Sequence, residues 1–409
     1  MIGAGAAGLA AAAEIARAGR SVLVLEARAR VGGRCWTTRM PGLDVPVELG
    51  AEFIHGQAQA TLALLARAGI APVDSVRAGR HHDGRRLRPR DSFAEALRAV
   101  QGATLAKDVS FERFLAMRRL PEKTKDVARR IVEGFDAADP RRVSARSILE
   151  EWGEQGALGE RHPRPQGGYG ALMDWLAKKL ISKNIRIQLG AVVREVRWKR
   201  GDVRVSGSFL GEAFRVQARQ AVITLPLGIL QSGAVHFSPT LMRKRKALSS
   251  LASGPVIRVA MRFHEPVWQK RAPGVAFFQS DGAPFPTFWT PLPMRAPLLT
   301  AWAGGPKAAR MTGLAPRTLI AKALASVHAI FPDAQLADAR AQDWHADPNS
   351  RGGYSYVLVG GMGAREELAE PIAGTLYFAG EATDALEAGT VAGALRSGQR
   401  AARELVHET

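Results

Sequence analysis

The sequence is poor in cysteine, poor in acid and lacks any long apolar run. Cys35 is the one cysteine among 409 residues, so no internal disulfide can form and no thiolate cluster can hold a metal. A single thiol suits a reducing compartment, and a cytoplasmic location is expected. No apolar stretch reaches the roughly 18 residues of a membrane-spanning helix. No leader is visible at Met1, although residues ahead of it would hide one and make export the alternative. The nine histidines show no His-Glu-x-x-His or comparable spacing, so no metal is expected. Internal repeats and low-complexity linkers are also missing.

Acid is scarce relative to base: 38 Asp and Glu against 57 Lys and Arg, a net charge of +19. Such an excess draws phosphates, nucleic acid, acidic lipids or carboxylate substrates. Its densest stretch is "RAGRHHDGRRLRPR", Arg77 to Arg90. This reads either as an anion-binding patch or as an exposed hairpin turning at Asp83-Gly84. The turn signal and the even spread of the other basic residues favour the hairpin. His81 and His82 then read as surface residues. Basic residues do not interleave with aromatics, so no nucleic-acid partner is expected.

What is present begins at the first residues, "MIGAGAAGLAAAAEIARAGRSVLVLEARARVGGR". Gly3, Gly5 and Gly8 form G-x-G-x-x-G. An alanine-rich helix is predicted from Ala6 to Ala18 with Gly19 as its C-cap. A buried parallel strand follows over Ser21–Leu25. Glu26, 18 residues after Gly8, stands where an acidic side chain holds a ribose hydroxyl pair. The glycines let the backbone approach a pyrophosphate, and the helix N-terminus faces it with free N–H groups. A dinucleotide is implied; NAD and FAD share this pattern. Ordinarily a strand of about 5–6 residues precedes such a turn. Only Met1 and Ile2 do so here, and the natural chain is expected to begin several residues earlier.

The following "EARARVGGRCWT" places Arg28, Arg30, Gly33 and Arg34 after the ribose strand. Glu26 to Arg34 resembles the FAD-binding signature of flavin amine oxidases, the group of monoamine, polyamine and L-amino acid oxidases and lysine-specific histone demethylases. The likeness continues in family order through "VELGAEFIHG" (Val47–Gly56), "PQGGYGALMDWLAKKL" (Pro165–Leu180), the hairpin-like stretch turning at Arg200-Gly201, "AVITLPLGIL" (Ala221–Leu230), "WHADPNSRGGYSYV" (Trp344–Val357) and "YFAGEATDALEAGTVAGALRSGQRAARE" (Tyr377–Glu404). The resemblance implies an α/β fold, a Rossmann-like FAD-binding domain interleaved with an α+β substrate domain. The FAD domain is expected over 1–66, 164–232 and 369–409, and the substrate domain over 67–163 and 233–368. Within the latter a helix is predicted over Pro316–Phe331, capped by Thr318, with Leu319, Ala323, Val327 and Ile330 on its apolar face.

The resemblance also implies the chemistry. An amine gives a hydride to flavin N5, the imine hydrolyses to an aldehyde or ketone, and O2 reoxidises the flavin to give H2O2. Expected cofactor contacts are Gly3, Gly5, Ala7, Gly8, Glu26, Ala27, Arg28, Gly33, Arg34, Gly50, Ala51, Glu52, Val193 against adenine, Gly380, Glu381 near the ribityl chain, Thr390 and Val391. Helical sequence starts at Thr390, and its N-terminus would favour negative charge on the flavin. Arg258, His55, Tyr354, Trp344 and Thr390 are expected around the reaction centre. Glu52 and His55 either read a substrate amine or make structural hydrogen bonds; Trp344 is a flavin-side wall or core.

Two positions depart from the family pattern. "SGPVIRVAMRFHEPVW" carries Arg258 where members hold a lysine near N5. An arginine cannot be neutral or act as a base, which points to slower oxygen reactivity, dehydrogenase behaviour or a tolerated exchange. Thr390 replaces one of the two tyrosines that flank the flavin in monoamine oxidases, with Tyr354 as the other. The cysteine that ties FAD covalently in those enzymes aligns near Gly353, so FAD is expected to be non-covalent. Partners are a small amine or amino acid and O2. No coiled-coil insert supports a chromatin role. The alternatives are a desaturase or protoporphyrinogen-oxidase-like enzyme on the same scaffold, and an anion-binding protein that keeps FAD structurally.

Overall fold

A computed structural model describes residues 1–153, 162–181 and 185–407. The opening helix α1 (Ala6–Arg17) is nearly all alanine on its buried side, with Leu9 and Ile15 completing the face. It ends one residue before the predicted limit, and Gly19 takes the left-handed φ of 75° that terminates it. The chain then enters β1 (Val22–Glu26), whose last three residues are buried. β1 pairs in parallel with β2 (Ile185–Leu189). On its other side Ile2 bridges both Leu25 and Ile223, which joins β1 to β3 (Ala221–Ile223). β3 pairs in parallel with β4 (Leu376–Phe378). Segments from both ends and the middle of the chain therefore build one parallel layer. It is covered by α1, α2 (Tyr169–Ile181) and α3 (Val391–His407). α1 and α3 cross very closely, because a Cβ at Gly398 would lie 2.2 Å from the Ala7 carbonyl oxygen.

A second, seven-stranded sheet runs in the order Leu336–Asp343, Val256–Phe263, Leu298–Gly304, Thr287–Trp289, Phe277–Ser280, Gly79–His82, Leu87–Pro89. Alternation decides what the Val256–Phe263 strand presents. Ile257, Val259, Met261 and Phe263 pack with Leu319, Ala323 and Val327. The alternate residues face the other way, Ala260 onto Val47 and Leu49 and Val256 onto Trp344. Arg258 is on that second face. The helix behind the sheet is Pro316–His328 with Ala315 at its N-cap; Thr318 lies inside the first turn and does not cap it. Ile330 is buried beyond the helix end.

The basic stretch is a hairpin, Gly79–His82 against Leu87–Pro89, with Asp83 Oδ1 accepting from the Arg85 and Arg86 amides in the turn. His81 and His82 are not surface residues: both are buried, and His81 pairs with Asp281 at 3.1 Å. The hairpin turning at Arg200-Gly201 also forms, between Ala191–Lys199 and Asp202–Phe209. A bulge there leaves Arg194 unpaired and keeps Val193 buried.

Candidate functional site

A cleft of about 1150 Å³ is lined both by the Gly3–Gly8 turn and by Phe53, Phe135, Phe277 and Trp289. That exceeds the ~300–1,000 Å³ typical of small-ligand sites, and leaves room for an elongated ligand beside a second small molecule. Every residue singled out from the sequence as a site candidate lines this cleft except Gly8. Gly8 lies behind it: a Cβ there would come 2.1 Å from the Gly3 carbonyl oxygen. Gly3 has φ 105°, which favours glycine. Gly5, at the N-cap of α1, has open space where a Cβ would project and contributes no side-chain cap. The first amides of α1 are left available to an anion.

Glu26 completes this cradle. Its Oε2 accepts from the Ala4 amide at 2.7 Å and its Oε1 from the Arg28 amide at 2.9 Å. A carboxylate offers about four acceptor positions, so each oxygen keeps one for a ribose hydroxyl. A bare glycine turn, free helix amides and a half-used buried carboxylate fit a dinucleotide.

The arginines of the second glycine pair are bonded within the protein. Arg28 makes a fork to Asp347 at 3.0 and 2.7 Å and reaches Ser350 at 2.8 Å. Arg30 donates to the carbonyls of Val31, Gly33 and Cys35. Arg34 donates to Gly353 O and to Glu381 at 3.0 Å. These bonds staple the cleft wall. Glu381 is committed in the same way: its other oxygen accepts from the Ser355 amide and hydroxyl. Burial alone would raise its carboxyl, but Arg34 and Arg365 outweigh it and hold the group below the usual range. Thr390 caps α3 instead of starting it: its hydroxyl donates to Glu387 O at 2.7 Å and accepts from the Gly393 amide at 3.0 Å.

Arg258 and Glu52 belong to a buried cluster. Glu52 Oε1 accepts from Arg164 Nε at 2.6 Å, and Oε2 accepts from Arg258 and from Trp289 Nε1 at 2.9 Å. Arg258 also donates to Gly50 O at 2.8 Å. Burial would raise the Glu52 carboxyl; the two guanidiniums reverse this and lower it. Glu52 therefore spends three of its acceptor positions inside the protein, and Arg258 is anchored at both terminal nitrogens. Tyr354 is anchored too, its hydroxyl donating to Phe135 O, and burial raises its pKa. Trp344 donates to Leu49 O at 2.8 Å and packs edge-on to Trp36. It is both core and cleft wall.

His55 meets a partner that the sequence did not announce. Its Nδ1 is 3.1 Å from Nδ1 of His162. Burial lowers His55 to about 3, reinforced by His162, and burial lowers His162 to about 4, reinforced by Arg77. Both are neutral near pH 7. In the unfolded chain they protonate near pH 6.5, so between about pH 6.5 and 4 the unfolded state binds more protons. Stability should fall on acidification through that window with a slope approaching about 1.4 kcal/mol per pH unit per imidazole. A His55→Phe, His162→Phe double variant should flatten the slope in denaturation at stepped pH; an unchanged slope contradicts the pairing.

Cys35 is buried, and burial pushes its thiol up to about 12. A thiol held protonated is a poor nucleophile. All flavin should therefore pass into the filtrate after denaturation; flavin left on the polypeptide would show a covalent link.

His162 and Arg164 were missed because nothing in "HPRPQGGYG" marks them locally. They stand just ahead of the recognised Pro165 segment, and only the tertiary fold brings them to His55 and Glu52. No helix among the described residues is long and apolar enough to cross a membrane.

Residues 6–406 match the family model of flavin containing amine oxidoreductases. Lysine-specific histone demethylase 1 homolog 2 of Oryza sativa subsp. japonica is 30% identical, over 100% of this chain and 56% of that protein. The chain thus spans little more than half the length of such relatives. Polyamine oxidase 2 of Arabidopsis thaliana is 29% identical over 99% of this chain and 87% of its own. In structure, a putrescine oxidase bound to putrescine superposes with a TM-score of 0.81 at 22% identity, covering 99% of this chain and 98% of the other. This is the α/β fold expected from the sequence. Taken with a cleft that carries a dinucleotide cradle, the match over nearly the whole length places the chain in the flavin-containing amine oxidoreductase family.

Proposed function

We propose that this chain oxidises a small amine with FAD bound in the cleft. The observation that carries the reading is continuity: one cleft joins the Gly3–Glu26 cradle to the aromatic chamber in front of Arg258. On this reading residues 1–66, 164–232 and 369–409 hold the cofactor, and 67–163 and 233–368 enclose the substrate. Bound FAD supplies the acceptor for a hydride from the amine's α-carbon and returns the electron pair to O2 as H2O2. The imine left behind hydrolyses to an aldehyde or ketone.

The chain's own residues position and desolvate. Phe53 meets Trp289 edge-on at 5.6 Å and Phe277 at a tilt at 5.9 Å between ring centroids, giving an apolar enclosure. Neutral His55 and His162 add no cation to it. The Arg164–Glu52–Arg258 cluster carries a net positive charge into the wall, fixed by Gly50 O and Trp289. Fixed cations of this kind stabilise negative charge that develops during reaction. Neither Arg164 nor Arg258 can serve as a base, because both guanidiniums stay protonated.

Oxygen uptake with a panel of amines tests the reading. Uptake matched by H2O2 and by the corresponding aldehyde or ketone supports an oxidase. Turnover with a dye acceptor but without oxygen uptake favours the dehydrogenase alternative raised by Arg258. Absence of both with every amine contradicts the proposal.

A further inference from the structure

Arg365 falls between the stretches Trp344–Val357 and Tyr377–Glu404, outside every segment that carried the resemblance. It is nevertheless only 4% exposed, on the short helix Ala364–Ala369. An arginine so enclosed needs partners. Both of its terminal nitrogens close on one residue. Nη1 donates to Ser355 Oγ at 2.5 Å and Nη2 to Ser355 O at 3.0 Å. The carboxylate paired with it, Glu151, stands 3.9 Å from Nη2, too far for a hydrogen bond.

A guanidinium only donates. The Ser355 hydroxyl therefore accepts from Arg365, and its own proton is left for Glu381 Oε2 at 2.6 Å. The Ser355 amide donates to the same oxygen at 3.2 Å. On Oε1, Arg34 takes one position at 3.0 Å. A carboxylate offers about four acceptor positions, so three are filled and one on Oε1 is left over. Glu381 is 5% exposed and lines the cleft. A ligand hydroxyl is the kind of donor this last position takes.

The arrangement needs Glu381 ionised, because a protonated carboxyl would put a hydrogen where three donors already converge. Burial opposes the charge, and Arg34 and Arg365 outweigh it. Glu151 and the Tyr354 phenol also sense this carboxylate, and burial raises both toward their neutral forms.

We infer that Arg365 is a positioning residue for the cofactor: through the Ser355 hydroxyl it holds the Glu381 carboxylate as an oriented acceptor for a ribityl hydroxyl of FAD. This rests on the FAD-binding reading of the cleft and adds Arg365 and Ser355 to it.

The test titrates the flavin-stripped protein with FAD, riboflavin and lumiflavin. Lumiflavin keeps the ring and lacks the hydroxylated chain. Arg365→Met should weaken FAD and riboflavin by about tenfold, as expected when a bond to a charged group is lost, and leave lumiflavin unchanged. Ser355→Ala, which keeps both arginines, should give the same pattern. Arg365→Lys should recover part of the loss. The pH profile has a definite sign. Loss of Arg365 raises the Glu381 carboxyl, so riboflavin binding by Arg365→Met should fall away at a higher pH than in wild type on acidification.

Equal losses for riboflavin and lumiflavin would mark a merely structural role and overturn the inference. A loss in Arg365→Met that Ser355→Ala does not share would put the guanidinium on the ligand itself, and also overturns it. If Arg365→Met does not fold, the ratio of riboflavin to lumiflavin binding in Ser355→Ala decides. FAD bound equally by wild type and both variants removes only this inference. A stripped wild type that binds no FAD removes the cofactor reading beneath it.

Discussion

Glu52→Gln should destabilise the protein by about 3–5 kcal/mol, because it leaves two buried guanidiniums without their counter-charge. The side chains of Arg258, Arg164 and Glu52 are 2%, 6% and 10% exposed, so water cannot replace the lost carboxylate. A glutamine can still accept one hydrogen bond, which places the expected value toward the lower end of that range. Arg258→Met should cost less, since Glu52 keeps Arg164 and Trp289. The asymmetry separates a charge effect from general loss of packing. The pH dependence has a definite sign. The Glu52 carboxyl is lowered in the folded state, so its contribution is full above the unfolded value of about 4.3 and is lost as pH falls through the lower folded value. The denaturation midpoints of wild type and Glu52→Gln should converge in acid. A difference below about 1 kcal/mol at pH 7, the range of exposed ion pairs, would contradict the burial argument.

Gly5→Ala and Gly8→Ala should fail in different ways. At Gly8 the new methyl meets backbone, 2.1 Å from Gly3 O, with Thr224 Oγ1 at 3.1 Å. The turn must open, at a cost of about 1–3 kcal/mol, and flavin retention should fall with stability. At Gly5 no atom lies within 4 Å of the new methyl, and φ −75° with ψ −176° suits any residue. The flavin-free protein should therefore keep its stability to within about 1 kcal/mol, the usual penalty for alanine at an N-cap. The methyl would nevertheless stand where the pyrophosphate approaches the backbone. Losing even one charge-assisted amide bond should weaken flavin binding by about tenfold or more. Reconstitution of the stripped variants with FAD measures this. Gly5→Ala that binds FAD as well as wild type would remove the cradle from the cofactor site.

What was legible in the sequence was local. G-x-G-x-x-G, the alanine-rich helix, the apolar strand and Glu26 lie within 26 residues, and each is a backbone requirement with a compositional signature. Thr390 was read as helical because cap and first turn share composition; only the hydroxyl geometry separates them. The basic hairpin was legible from Asp83-Gly84, but the burial of His81 depended on Asp281 across the sheet.

What was not legible came from distance. Glu52 meets Arg164 across 112 positions and Arg258 across 206. His55 meets His162 across 107. No periodicity encodes such pairs, so Glu52 and His55 could only be read singly, each with a functional and a structural meaning left open. The fold supplies Glu52 with structural partners, Arg164, Arg258 and Trp289. For His55 it supplies a partner, His162, with the two Nδ1 atoms 3.1 Å apart.

Anaerobic mixing of the flavin-loaded protein with excess amine or amino acid is the most direct test of the proposed reaction. Bleaching of the flavin band, with aldehyde, ketone or keto acid formed in stoichiometric amount, is expected. Flavin that stays oxidised with every amine and amino acid, while a chemical reductant bleaches it, would contradict amine oxidation in this cleft.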